Sequence, residues 1–215
     1  MLQFEIIPVT HYQQNCSLIW CEHTREAALI DPGGEPERIR ERVQARDLNL
    51  TQIFLTHGHL DHVGGVTPLA EHYQVPVIGP HEEDRFWLEM LEQQAQMMGF
   101  TAVPAVVPTR YLREGDSLQV GQSQLDVLHC PGHTPGHVVL VDKQARLAFV
   151  GDVLFNGSVG RSDFPRGDHA TLVRSIREKL WPLGDDIRFI PGHGPMSTLG
   201  AERATNPFVA DKVFG

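Results

Sequence analysis

The sequence predicts a layered α/β or α+β domain, because short apolar runs of strand type occur in groups in both halves of the chain and amphipathic helical stretches separate them. A third observation gives that domain a chemistry: several of the runs end in glycine-bearing loops that carry histidine or aspartate. Taken in order, Phe4 to Val9 is apolar, Cys16 to Trp20 alternates, and Ala27 to Ile30 is a short run stopped by Asp31-Pro32-Gly33-Gly34. Glu35 to Arg46 is charged with Ile39 and Val43 four apart, as in a surface helix that buries one stripe. Ile53-Phe54-Leu55 reads as a buried strand ending at Thr56, and Gly64 to Tyr73 as a helix with Val66, Leu69, Ala70 and Tyr73 at helical spacing. Residues 82 to 98 form a second helical stretch, with Phe86, Met90, Met97 and Trp87, Leu91, Met98 available for packing and Gly99 as its stop.

Further along, Leu118 to Leu128 reads as a hairpin around Gly121, and Val138 to Val141 and Leu147 to Val150 as strands turned by Asp142-Lys143-Gln144. A helix from Ala170 to Leu180 and a strand from Arg188 to Ile190 complete the pattern. No repeat, low-complexity tract or composition break divides the chain, so residues 1 to 215 are expected to form one domain.

Composition narrows the class. The hydrophobic fraction of 41% comes without any run of eighteen apolar residues, and the N-terminal residues lack the features of a signal peptide, which points to a cytoplasmic protein without a membrane span. Cys16, Cys21 and Cys130 are odd in number and in no metal-knuckle spacing, as expected of reduced, buried thiols. A formal net charge of −9 repels polyanions, which disfavours nucleic acid as a partner and leaves a small-molecule substrate. No oligomeric state is legible.

The residues that carry chemistry begin at Thr56-His57-Gly58-His59-Leu60-Asp61-His62, where three imidazoles and a carboxylate crowd behind a strand. Such a loop can point His57 and His59 to one side and Asp61 and His62 to another, which suggests two neighbouring metal positions. Neither set is complete, since a catalytic ion takes about three protein ligands. The missing ligands are expected at later strand ends: His133 after Pro131-Gly132, Asp152 after Gly151, and His193 after Pro191-Gly192. Glycine at those points permits close approach of a loop to an ion.

This pattern resembles the metallo-β-lactamase superfamily. Within it, Gly151-Asp152-Val153-Leu154-Phe155, Pro191-Gly192-His193-Gly194 and the tail Ser197-Thr198-Leu199, Glu202, Thr205-Asn206-Pro207-Phe208 look most like glyoxalase II, the hydroxyacylglutathione hydrolases. The resemblance implies an αββα sandwich of two facing mixed β-sheets flanked by helices. It also implies one metal held by His57, His59 and His133, a second by Asp61, His62 and His193, and Asp152 bridging them. The ligand types suit zinc first, with iron or manganese as alternatives. The implied reaction is hydrolysis of a thioester such as S-lactoylglutathione by water activated between the two ions, with Asp61 also orienting the nucleophile. Arg161 falls where that family places a basic residue against glutathione, the alternative being a solvated surface arginine. Members of that family continue into a helical domain that supplies further basic residues, and this sequence ends at Gly215. Either the helical segment 82 to 113, with Arg85, Arg110 and Arg113, substitutes for it, or affinity for glutathione thioesters is weak.

Asp31, before Pro-Gly-Gly, is either a turn residue or a partner that orients a histidine. His137 is expected to pack at a strand start, and His11, His23, His72, His81, His129 and His169 have no ligand spacing. Two other functions fit parts of the pattern: a mononuclear iron persulfide dioxygenase, which the stretch Gly157 to Gly167 also resembles, and a non-catalytic metal-binding module. The complete second ligand set and the cysteine-poor, carboxylate-rich donors favour hydrolysis over both.

Overall fold

The computed structural model describes residues 1–101 and 103–214. Strands β1 (Leu2–Val9), β2 (Gln14–Cys21), β3 (Glu26–Ile30), β4 (Asn49–Phe54) and β5 (Val77–Ile78) form one sheet in sequence order. β1 to β3 pair antiparallel, β3 to β5 parallel. The second sheet uses β6 (Ser117–Val120), β7 (Ser123–His129), β8 (Val138–Asp142) and β9 (Leu147–Gly151). The small hairpin β10 (Leu154–Phe155) and β11 (Ser158–Val159) stands apart, and β12 (Arg188–Pro191) and β13 (Ser197–Thr198) complete the second sheet in the order β13-β12-β9-β8-β7-β6. Both sheets are mixed, because β12 lies parallel to β9 while the remaining pairs run antiparallel.

The layering follows from the two-residue period of the strands. On β3, Ala28 and Ile30 pack into a core with Phe54, Leu140, Phe149 and Ile190 that fills the space between the sheets. Its alternate residues Ala27 and Leu29 face outward onto helix α1 (Pro36–Ala45), where Ile39 and Val43 are buried. The second sheet does the same: Val138 and Leu140 face inward, while Val139 and Val141 pack outward with Leu172, Ile176, Trp181 and Leu199. Strands buried on both faces read as unbroken apolar runs, which is how they look in the sequence. The αββα sandwich is therefore present as expected.

The remaining helices are α2 (Leu60–Val63), α3 (Val66–Tyr73), α4 (Arg85–Glu89), α5 (Leu91–Met98), α6 (His169–Ser175), α7 (Leu199–Thr205) and α8 (Asp211–Phe214). Some sequence expectations need correction. The stretch 82 to 98 is a 3₁₀ turn at Glu82–Asp84 followed by α4 and α5, interrupted at Met90; Met97 is exposed, and Trp87, Leu88, Leu91 and Ala95 do the packing. Helix does not extend to 113, since α5 stops at Gly99 in the left-handed region and Arg110 only bridges to Ile78. The helix expected from Ala170 to Leu180 is present, as α6 running on into π-helical geometry at Ile176–Leu180. Among the described residues, no helix is long and apolar enough to cross a membrane.

Candidate metal centre

The parallel pairs β3/β4 and β9/β12 end at one edge of the sandwich, and the loops leaving those ends carry the candidate ligands. After β4, Thr56 donates its N–H to Asp31 Oδ1 (2.8 Å) and its hydroxyl to Asp31 Oδ2 (2.5 Å). The chain then presents His57 and His59 before turning into α2, whose single turn carries Asp61 and His62. The structure brings the donor atoms of His57, His59 and His133 within 4.8 Å of one another, and those of Asp61, His62 and His193 likewise. Asp152 stands between the groups: Oδ1 lies 3.3 Å from His62 Nε2, and Oδ2 lies 3.6 Å from His133 Nε2 and 3.8 Å from His193 Nε2. A side chain at Gly192 would intrude here, its Cβ falling 2.1 Å from Asp152 Oδ1 and 2.6 Å from His62 Cε1, which is why the turn before His193 is glycine.

The histidine tautomers make this a cation site. A ring nitrogen facing the centre offers a lone pair when the other nitrogen donates its proton elsewhere. His62 Nδ1 donates to Asp31 Oδ2 (2.9 Å), His133 Nδ1 to the Arg161 carbonyl (2.6 Å) and His193 Nδ1 to the Tyr12 carbonyl (3.1 Å), so the Nε2 of each faces the centre, where it offers a lone pair once unprotonated. His57 Nδ1 lies 3.0 Å from the Thr56 hydroxyl, whose own proton goes to Asp31. His57 Nε2, His62 Nε2 and Asp152 Oδ1 are then buried without a hydrogen-bond partner. His59 Nδ1 faces His133 Nε2 at 3.0 Å. Buried lone pairs left facing one another cost free energy unless a positive charge sits among them, so the residues fit metal ions.

The two groups differ electrostatically. Burial, helped by neighbouring imidazoles, holds His57 well below its usual range and His59 at about 3; burial also lowers His133, although Asp152 opposes it. These rings stay neutral donors. For His62 burial also disfavours charge, yet Asp152 and Asp61 outweigh it and raise its pKa well above the usual value. His193 is raised too, its burial overcome by the hydrogen bond to Asp61 (3.1 Å) and by Asp152. Asp61 and Asp152 are in turn held below the carboxylate range, the cost of burial being outweighed chiefly by His62. The second group thus attracts positive charge more strongly than the first.

Supporting residues fall into place around these. Asp31 has a left-handed φ of 51° and also bonds His62, so it is both turn residue and orienting partner. His137 packs, as expected, stacked on His57 (4.7 Å, 18°), and its Nε2 accepts the Asp152 N–H at 3.0 Å. Asn15 was not singled out by sequence; at the start of β2 it donates to the carbonyls of Pro191 (3.0 Å) and Gly194 (2.8 Å), fixing the loop of His193. Trp87 and Phe164 lie edge-on to His59 at 4.6 and 4.7 Å and wall one side of the centre.

Arg161 lies beside the centre, but its guanidinium is paired with Asp163 (Nη2 to Oδ2, 2.8 Å) and stacked over Phe164. Arg85 and Arg110 are engaged within the chain by Glu89 and Asp116. His81 and His129, read as lacking ligand spacing, gather with Glu83. Their rings lie parallel, 4.1 Å apart at 15°, so the in-plane lone pairs run side by side, and His129 Nε2 already bonds the Pro135 carbonyl (2.8 Å). The three cysteines are buried and free.

A family model described as the metallo-beta-lactamase superfamily matches residues 9–193. The hydroxyacylglutathione hydrolase GloC of Haemophilus influenzae is 50% identical over 212 residues, 98% of this chain and 100% of that one. Among solved structures, the BLEG-1 B3 metallo-beta-lactamase superposes with a TM-score of 0.89 at 34% identity, covering 96% of this chain and 99% of its own. TTHA1623 in a di-iron-bound form gives a TM-score of 0.86 at 40% identity, covering 95% and 99%. Sequence match, sandwich and the histidine-aspartate edge agree, and the chain is a member of the metallo-beta-lactamase superfamily.

Proposed function

We propose that this chain is a binuclear metallohydrolase that cleaves thioesters such as S-lactoylglutathione to a hydroxy acid and free thiol. The observation that carries the reading is Asp152, whose two carboxylate oxygens reach toward the two histidine groups. His57, His59 and His133 would hold one cation, Asp61, His62 and His193 the other, and Asp152 both. The relative named hydroxyacylglutathione hydrolase supports the reaction, and the di-iron-bound neighbour supports a paired centre. Zinc is our first choice of metal, with iron or manganese possible for the same donors. When bound, such ions supply Lewis acidity that brings the pKa of water toward about 7 and polarises a carbonyl.

The chain's own groups do the rest. Asp61 Oδ2 points among the second group and is held ionised, so it can accept a hydrogen bond from a water and aim that water's lone pair at the substrate carbon. Trp87 and Phe164 exclude solvent on the His59 side. A thiolate leaves without a dedicated acid. Arg161, half a step outside this wall, would contact the anionic part of the thiol once it exchanges Asp163 for substrate. A reducing, cytoplasmic setting suits the free thiols.

The test is one purified sample assayed three ways. The expected outcome is about two metal equivalents, thiol release from S-lactoylglutathione, and no oxygen uptake with glutathione persulfide. One iron equivalent with oxygen uptake would replace this reading by the dioxygenase, and two metals without turnover of a thioester, lactone, β-lactam and phosphodiester panel would leave a binding module.

A further inference from the structure

Asp84, just before α4, is fully buried and has no part in the chemistry above. Its Oδ2 accepts the Gly58 N–H (3.0 Å) and the Thr134 hydroxyl (2.7 Å), and its Oδ1 accepts the Gly136 N–H (2.6 Å). Gly58 lies between His57 and His59; Thr134 follows His133; Gly136 precedes His137. One carboxylate therefore ties together the two loops that supply every donor of the first histidine group. Its own backbone is pinned to the same place: Asp84 N–H donates to the His81 carbonyl, and His81 N–H to that of Gly136. The fit is tight, since a Cβ on Gly136 would fall 2.4 Å from Asp84 N. A second tie comes from α5, where buried Gln94 accepts the Leu60 N–H at 2.9 Å and donates to the Trp87 carbonyl at 2.8 Å.

We infer that Asp84 is a positioning residue that sets the spacing of His57 and His59 relative to His133, and so the metal affinity of that group. The inference rests on the proposed reading of those histidines as ligands. Burial pushes the Asp84 carboxyl up to about 6 against the pull of its three donors. Its folded value is thus raised, and ionisation at neutral pH lowers stability rather than adding to it. Asp84→Asn keeps the shape and removes the buried charge, but sets an amide N–H₂ against a backbone N–H of one ligand loop or the other.

The readout is cobalt(II) binding to the metal-depleted chain, followed by its visible absorption, in a His193→Ala background that breaks the second group. The parent chain is titrated first, and failure to bind cobalt would overturn both the ligand reading and the inference. With binding in hand, Asp84→Asn should weaken it about 10- to 100-fold, while the metal-free variant melts within about 4 °C of its parent. Unchanged affinity in the folded variant overturns the positioning role alone. If Asp84→Asn does not fold, Thr134→Val decides, because it removes one donor and keeps the volume: weakened cobalt binding supports the inference, and parental affinity refutes it.

Discussion

Two aspartates near the centre differ by what they touch, and mutation should separate them. Asp152 faces the histidine nitrogens with an oxygen that has no hydrogen-bond partner, so Asp152→Ala removes an unsatisfied buried atom together with the carboxylate that attracts the His62 ring. We expect that variant to stay folded, to retain less than the wild-type metal content on dialysis, and to lose turnover. Wild-type metal content would rule out a bridging role. Asp31→Ala behaves differently, because it strands the Thr56 N–H and hydroxyl and frees the His62 ring. A stranded buried donor costs about 1–3 kcal/mol, so denaturant unfolding should show that loss, together with about 10- to 100-fold weaker metal binding. At this scale His57 is legible as a candidate because it follows a strand, and His59, His133, Asp152 and His193 because each follows glycine, whereas Asp61 and His62 stand out only by their nearness to those histidines and Asp31 stays open between two roles. Whether a side chain after a turn reaches a ring 31 positions away depends on tertiary approach, which spacing does not encode.

Among elements, α7 explains why the tail accompanies the metal motif. Glu202 is buried and accepts from Gly157 N–H (2.8 Å), Asn206 Nδ2 (2.8 Å) and the Ser197 hydroxyl (2.6 Å), and Asn206 also donates to the Ser158 carbonyl at 3.0 Å. The tail thus fastens the β10–β11 hairpin, which leads from Asp152 to Arg161, the residue whose carbonyl orients His133. Replacing Glu202 by Ala leaves several donors unmet, and we expect a loss of about 2–4 kcal/mol in urea unfolding with an unchanged m-value. A loss below about 0.5 kcal/mol, typical of a surface change, would mean the hairpin holds without it. The long two-faced strands and α1 were legible because burial writes a period into them. β5, β10, β11 and β13 were not, since two residues contain no period. The break at Met90 is not legible for a related reason: residues on both sides keep helical character, and at the break the Trp87 carbonyl takes a hydrogen bond from the Gln94 side chain, a tertiary feature that local spacing does not record.

At the scale of the whole molecule, the sandwich joins two groups of opposite electrostatic character along one edge, and pH should uncouple them. Layering could be read from apolar runs, whereas the order β13-β12-β9-β8-β7-β6 and the meeting of four loops depend on long-range pairing that no local pattern records. A metal must displace protons from its ligands, so the more firmly a ring holds its proton, the higher the pH at which metal is lost. His57, His59 and His133 all have lowered pKa values, and His57 and His59 remain unprotonated donors well below neutrality. His62 and His193 have raised values, so protons compete there already as pH falls through the neutral range. We therefore expect stepwise loss on acidification, with one equivalent leaving as pH falls through the neutral range, where the raised His62 and His193 take up protons, and the other held to well below the ordinary histidine range of about 6.5. One equivalent should leave first, and the equivalent that remains should be the one abolished by His59→Ala and kept by His193→Ala. Metal content after dialysis across that range measures it. Simultaneous loss of both equivalents, or retention of the one that needs His193, would show that the carboxylates around His62 do not set the order.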